Sequence, residues 1–350
     1  MIFKNILSLA ASTIKLFIFL TFLTNSIADE NTFKEYANDA GTLSIMYHRF
    51  EEKKYPSTNI QMNIFEDQIE IIKLNGFKFY DPKDFINEID LIKKNKKILI
   101  TIDDAFKSFY KHAWPYLKKN KIPFILFVST EPVGKKGYMN WEEIKEVEKE
   151  KFAYIGNHSH SHDYLVNYDF ENFKKDIDKS IEIFKNNLGY NPEYFSYPFG
   201  EYSLDQKNFI KEKFKNAFGQ HSGVIDVNKD IYELPRFPIN EKYGDLERFE
   251  FLIKLNPLEY NNITLKDKLV SSKNNPPKLS IIFFEKQKNL DRINCFSNEG
   301  EDWNKTSTNL IDNKLIINFN DKFKFRRGRI NCSMKDEIGW RWLGLQFTIK

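Results

Sequence analysis

Between Thr42 and about Phe251, short apolar runs alternate with segments of helical period, and this alternation restricts the fold more than any other feature of the 350-residue chain. The strand candidates are Leu43–Met46, Ile98–Ile102, Phe124–Val128, Phe152–Ile155, Glu193–Ser196 and Asn216–Phe218. Such short, continuously apolar runs suit a parallel sheet covered by helices on both faces. Between them, "FEDQIEIIKLNG" and "FKKDIDKSIEIFKNNLG" space their apolar residues for a helix and stop at Gly76 and Gly189. In "NWEEI", Asn140 stands three residues before Glu143, the pattern of a capping box. The expected class is α/β, built from βα units around a parallel sheet or barrel.

Reactive side chains follow these strands in register: Tyr47-His48, Asp103-Asp104, Ser129-Thr130, Asn157-His158, Pro198-Phe199-Gly200 and Gln220-His221. In βα barrels the C-terminal strand ends form one face, so residues distant in sequence converge there. Asp103 and Asp104 close the run "KKILITIDDAFKSF", and two neighbouring carboxylates in a pocket repel unless a cation or proton intervenes. They can also cap the first turn of the following helix. His158 and His162 in "GNHSHSHDYL" are four positions apart, which brings both imidazoles to one side of a turn. With Asp104 they make three ligands for a divalent metal that keeps a position open for water, leaving Asp103 as a base. The metal reading is preferred because the paired histidines accompany the aspartates. His160 then points elsewhere, and His112 beside Trp114 reads as structural.

"TIDDAF", "HSHSH" and "YPFG", in that order, resemble the first three motifs of the polysaccharide deacetylase family, the carbohydrate esterases with a NodB-like domain. "MYHRF" and "LPRFPI" are similar to the branch that acts on poly-N-acetylglucosamine. The resemblance covers roughly residues 42–255. It implies a distorted (β/α)7 barrel and metal-dependent removal of N-acetyl groups from amino-sugar poly- or oligosaccharides, with Zn2+ or else Co2+, Ni2+ or Fe2+. Carried onto this chain, Asp103 is the general base and Asp104, His158 and His162 hold the metal. Tyr197, Pro198, Phe199 and Gly200 line the substrate groove, where His48 and Arg236 are also expected. Four departures stand out: Ala105 replaces a glycine, Ser196 stands where an arginine usually orients the base, and neither the aspartate-tryptophan motif nor the late histidine motif of the general acid has a match. Arg236 is the candidate for the missing arginine, and His221 in "FGQHSG" is the candidate acid.

The ends of the chain read differently. Residues 1–28 carry Lys4, Lys15 and an apolar stretch from Leu16 to Leu23, then Ser26-Ile27-Ala28 ahead of Asp29, the form of a signal peptide. The expectation is an exported protein, periplasmic or secreted, without a membrane span after cleavage. Loss of the two lysines takes the formal charge from +4 to +2, and 29% charged residues of both signs give no surface for nucleic acid. Cys295 and Cys332, in an exported chain, read as one disulfide. Beyond Pro257, "NNPPKLS" at 274–280 reads as a linker and short strand-like runs follow, so the expected division is a deacetylase domain at 29–262 and a small all-β C-terminal domain at 263–350. Its Trp303, Trp340 and Trp342 are expected in a core rather than on a sugar-stacking face. Arg326, Arg327 and Arg329 suit a solvated edge strand or an anionic glycan. The leading function is N-deacetylation; an O-acetyl esterase with the same site, or a glycan-binding protein with a degenerate one, are the alternatives.

Overall fold

A computed structural model describes residues 41–88 and 97–350. The chain divides into Met1–Lys34 and Glu35–Lys350, and the described residues belong to the second unit. The expected signal peptide at 1–28 lies outside the described residues. Among the described residues no helix is long and apolar enough to cross a membrane.

Among the described residues the principal sheet has eight strands, seven of them along its main path: β1 (Leu43–Tyr47), β2 (Lys97–Ile102), β3 (Phe124–Val128), β4 (Ala153–Asn157), β5 (Tyr194–Ser196), β6 (Asn216–Phe218) and β7 (Phe237–Pro238). They run in the order β7-β1-β2-β3-β4-β5-β6, with Lys78–Phe79 beside β2, and every pairing is parallel. Successive side chains of a strand point to opposite faces. Ile98, Ile100 and Ile102 accordingly join the outer core with Phe65, Ile69 and Leu117, while Leu99, Ile125 and Phe127 meet Phe218 in an inner one. Both faces are covered, which is why the strands read as unbroken apolar runs. The sheet closes into a distorted barrel through residues 231–236, whose Leu234 amide donates to the Ala217 carbonyl oxygen at 2.9 Å before the chain enters β7 beside β1.

The connecting helices are α1 (Met62–Leu74), α2 (Pro82–Glu88), α3 (Trp114–Asn120), α4 (Trp141–Glu148), α5 (Phe170–Leu188), α6 (Leu204–Lys213) and α7 (Leu246–Leu252). Asn140 and Glu143 form the capping box expected at the start of α4, and Gly189 ends α5 in the left-handed conformation, φ 84°.

A second sheet contains β8 (Leu279–Ile282), β9 (Asn294–Ser297), β10 (Asn304–Ile311), β11 (Lys314–Asn318), β12 (Arg327–Lys335) and β13 (Trp340–Ile349), with three two-residue strands at Asn256–Pro257, Asn262–Ile263 and Leu269–Val270. The chain therefore enters this sheet at Asn256. The stretch 274–280, expected as a linker, lies inside it: Asn275 exchanges side-chain hydrogen bonds with the Phe323 backbone. Cys295 and Cys332, directly opposed on β9 and β12, form the disulfide.

The second sheet sits on the barrel mouth. Gln346 Nε2 donates to the carbonyl oxygens of Phe199 and Gly200 at 3.0 and 3.1 Å, and Trp342 Nε1 donates to Ser222 Oγ at 3.0 Å. Gly344 permits this approach, since a Cβ there would lie 2.1 Å from the Ser222 carbonyl oxygen.

Candidate active site

The strand ends deliver the site. β2 runs out at Ile102 and the backbone turns sharply, with Asp104 and Ala105 at φ 74° and 51°. Aspartate tolerates this region better than most residues, whereas alanine is strained there, so the glycine usual at this place in the resembling family has a steric reason. Ser159 and His162 also have positive φ, 73° and 56°. Such a concentration of sparsely populated backbone is typical of functional sites, where surrounding structure holds it in place.

The loop after β4 is held from below. Asp176, on the buried face of α5, accepts from the backbone amides of His160 and Ser161 at 2.9 and 3.0 Å. His160 turns away and pairs its Nδ1 with Thr130 Oγ1 at 2.8 Å. His158 Nδ1 lies 2.6 Å from the Ser196 carbonyl oxygen. A carbonyl can only accept, so Nδ1 carries the proton and Nε2 offers its lone pair to the site. His162 Nε2 lies 3.0 Å and His158 Nε2 3.4 Å from Asp104 Oδ1. One ligand atom from each of Asp104, His158 and His162 lies within 4.8 Å of the others, a possible site for a divalent metal. The test of fit is local: Asp104 Oδ1 and His158 Nε2 are buried with no hydrogen-bond partner, and buried polar atoms seldom go unsatisfied. One oxygen and two imidazole nitrogens converging on one point are a donor set for a divalent cation.

Beside this set, Asp103 is fully buried and gripped by Arg236, whose Nη1 and Nη2 donate to Oδ1 and Oδ2 at 2.6 and 2.8 Å. The remaining guanidinium donors go to Gly219 O, Thr101 Oγ1 and Ser196 Oγ. Ser196 thus leaves room for an arginine 40 positions away, just before β7, and accepts one of its hydrogen bonds. Burial pushes the Asp103 carboxyl up, but Arg236, His158 and His48 outweigh it and hold it below its usual range, so it is a carboxylate at neutral pH.

A cavity of about 620 Å³ opens above these groups, with Asp104, His162, His48 and Phe199 at one end. Phe199 packs against the His162 ring, and Tyr164 stacks on Phe199 with centroids 4.2 Å apart.

Comparison with known proteins agrees with this geometry. The family model described as Polysaccharide deacetylase matches residues 91–213, a span that contains the aspartate pair, both ligand histidines and the Tyr197–Gly200 turn. The poly-beta-1,6-N-acetyl-D-glucosamine N-deacetylase of Staphylococcus aureus (strain MSSA476) is 27% identical over 226 residues, 60% of this chain and 76% of that protein. Residues 91–213 thus match the polysaccharide deacetylase family. In three dimensions the deacetylase barrel resembles IcaB from Ammonifex degensii, with a TM-score of 0.53 at 24% identity over 61% of this chain and 97% of that one. It also resembles the Streptococcus pyogenes deacetylase PplD in complex with acetate, with a TM-score of 0.54 at 19% identity over 59% and 95% of the two chains. At these identities the two structures speak for the fold alone.

Some groove residues expected for a deacetylase lie elsewhere. Arg236 is fully buried with every donor used inside the protein, so it positions Asp103 and does not touch a substrate. Tyr197 is 1% exposed and donates to the Tyr232 carbonyl oxygen, while Pro198 and Gly200 are also buried; of this turn only Phe199 reaches the cavity. His221 lines the cavity, yet the charges acting on it most are Glu233, Lys268, Lys229 and Arg236. Burial pushes it down to about 4, so it holds no proton to donate at neutral pH. His48, after β1, is likewise pushed down by burial, with Asp104 and Asp103 acting against that burial without outweighing it. Trp303 and Trp342, expected in a core, line the cavity, and Trp303 and Trp340 are 40% and 41% exposed. Asp176 went unread, although an acid on the face shared by Phe173, Ile177 and Ser180 is itself a signal.

Proposed function

We propose that this deacetylase hydrolyses N-acetyl groups of GlcNAc-containing polysaccharide, of the poly-β-1,6-GlcNAc type named for its staphylococcal relatives. The observation that carries the reading is the convergence of Asp104, His158 and His162 beside an Asp103 that Arg236 keeps ionised at the end of a cavity. Asp104, His158 and His162 would hold a divalent cation, and zinc suits one carboxylate and two imidazoles. When bound, such an ion polarises a carbonyl and makes water more acidic. Asp103 accepts the proton of the attacking water, with Arg236 fixing the orientation of its carboxylate. His48, after the neighbouring strand β1, lines the same cavity as a substrate-binding group, and the proton that Asp103 takes from water is the one returned to the departing amine. Phe199, stacked between Tyr164 and His162, forms an apolar wall that excludes water from the acetyl end. Catalysis is assigned to the barrel domain, expected at 29–262 but giving way to the second sheet from Asn256 onward, with the remainder as the second domain, and residues 1–28 to export into the periplasm or medium.

Acetate release by purified protein from acetylated β-1,6-GlcNAc oligomers, chitooligosaccharides and acetylated xylan, with and without chelator, tests this reading. Chelator-sensitive release from the amino-sugar chains is expected. Release from xylan alone would make the protein an O-acetyl esterase, and none from any chain would reject catalysis.

A further inference from the structure

The second sheet contributes a wall of the cavity that holds the catalytic groups. On β12, alternate residues face opposite ways. Gly328, Ile330, Cys332 and Met334 are buried, and the last three belong to the core of the second sheet. Arg327, Arg329 and Asn331 lie on the other face and line the cavity. Trp303, from the loop before β10, and Arg248 of α7 line it too. The three guanidinium groups meet little negative charge. Among the described residues lining this cavity Asp104 is the one carboxylate, and it belongs to the ligand set. Arg329 spends Nε on the neutral Gln346 Oε1 at 2.9 Å. Arg248 donates to the backbone carbonyl of Tyr243. Glu201, just outside, accepts from Arg326 Nε at 2.7 Å and lies 3.7 Å from Arg327 Nε, so one carboxylate serves two guanidinium groups. Glu201 and Asp245 are the carboxylates that act on these three guanidinium groups, and partly buried cations short of counter-charge are costly, so an anion in the cavity would complete them. Burial and the neighbouring Arg327 push Arg329 down to about 10, as expected of a cation short of counter-charge.

We propose that the second sheet makes this cavity selective for an acidic glycan: Arg327 and Arg329 hold a carboxylate or phosphate on a sugar of the bound chain, and Trp303 offers its exposed face to a sugar ring. The inference rests on the deacetylase reading for the acetylated sugar but not for the anion site. Arginine forks match planar carboxylate and phosphate groups, and indole faces stack on the apolar faces of sugars.

The test measures binding to full-length protein carrying Asp103→Asn, by calorimetry at low and high salt. The probes are N-acetylchitotetraose, a hyaluronan tetrasaccharide with carboxylates, and N-acetylchitotetraose bearing 6-phosphates. At least one acidic probe should bind roughly tenfold or more tightly than the neutral one, with salt weakening the preference, and the preferred probe identifies the anion. Arg327→Gln and Arg329→Gln should each remove most of that preference while leaving neutral binding within about twofold, and Trp303→Ala should weaken all probes alike. The Arg327 side chain is 36% exposed, so its variant remains informative if Arg329→Gln fails to fold. Equal binding of all three probes, or arginine variants that weaken the neutral probe as much as the acidic ones, would overturn the proposal. Acetate release by the wild type is scored separately. Anion preference without release would reject the deacetylase reading and keep the acidic wall, whereas release without preference would reject the wall alone.

Discussion

Asp103 and Asp104 are adjacent in sequence yet differ in every physical respect: one is fully buried and locked to a guanidinium, the other presents an unsatisfied oxygen to two imidazoles. Asp103→Asn keeps nearly the same shape but cannot take a proton. It should therefore retain the cation and lower kcat by roughly 10²–10⁴, with KM little changed, as steady-state kinetics and metal content would show. An active variant would place the base elsewhere. The aspartate pair and the spaced histidines were legible because each lies within a few residues of chain at a strand end. Arg236 was legible only as a candidate, since 133 positions separate it from Asp103 and the fold alone brings the two together. Its expected contact with substrate was misread because sequence does not show how many of five donors the protein itself consumes.

At the scale of elements, the close approach of β13 to the loop after β6 joins the two sheets. Gly344→Ala would drive a methyl into the Ser222 carbonyl and the Asn331 side chain, so the strand or the loop must move. The variant should lose roughly 1–3 kcal/mol by denaturant titration and show weakened binding of glycan, with the cation retained. Unchanged stability and binding would mean that the sheets are not held together there. The barrel strands were readable because burial on both faces leaves them uniformly apolar. In the second sheet the tryptophan alternation at 340 and 342 named a common face without saying what covers it, and the answer came from the barrel loops opposite. The prolines of 274–280 suggested a linker, although the chain had entered the second sheet at Asn256.

Across the whole molecule, a charged cluster ties barrel to second sheet and governs the response to acid. Glu233 accepts from Tyr202 and Lys207 at 2.9 and 3.1 Å and lies 3.8 Å from Lys268, which directly precedes the strand Leu269–Val270 beside β13. Burial pushes Glu233 up, but Lys268 and Lys207 outweigh it and hold it at about 2, below its ordinary 4.5. The folded state thus binds this proton less readily than the unfolded chain, so the stabilisation is complete above about pH 4.5 and is lost as pH falls toward 2. Glu233→Gln should cost roughly 3 kcal/mol at neutral pH, and the gap to the wild type should close across that window in urea melts. A pH-independent gap would show that packing, not charge, holds the joint. The central claim is that strand ends far apart in sequence assemble one cation site, and metal analysis of the purified full-length protein tests it most directly. One divalent ion per chain is predicted in the wild type and in Asp103→Asn, with its loss in Asp104→Ala, His158→Ala and His162→Ala while the circular dichroism spectrum is unchanged. A full complement of metal in the folded histidine variants would contradict the account.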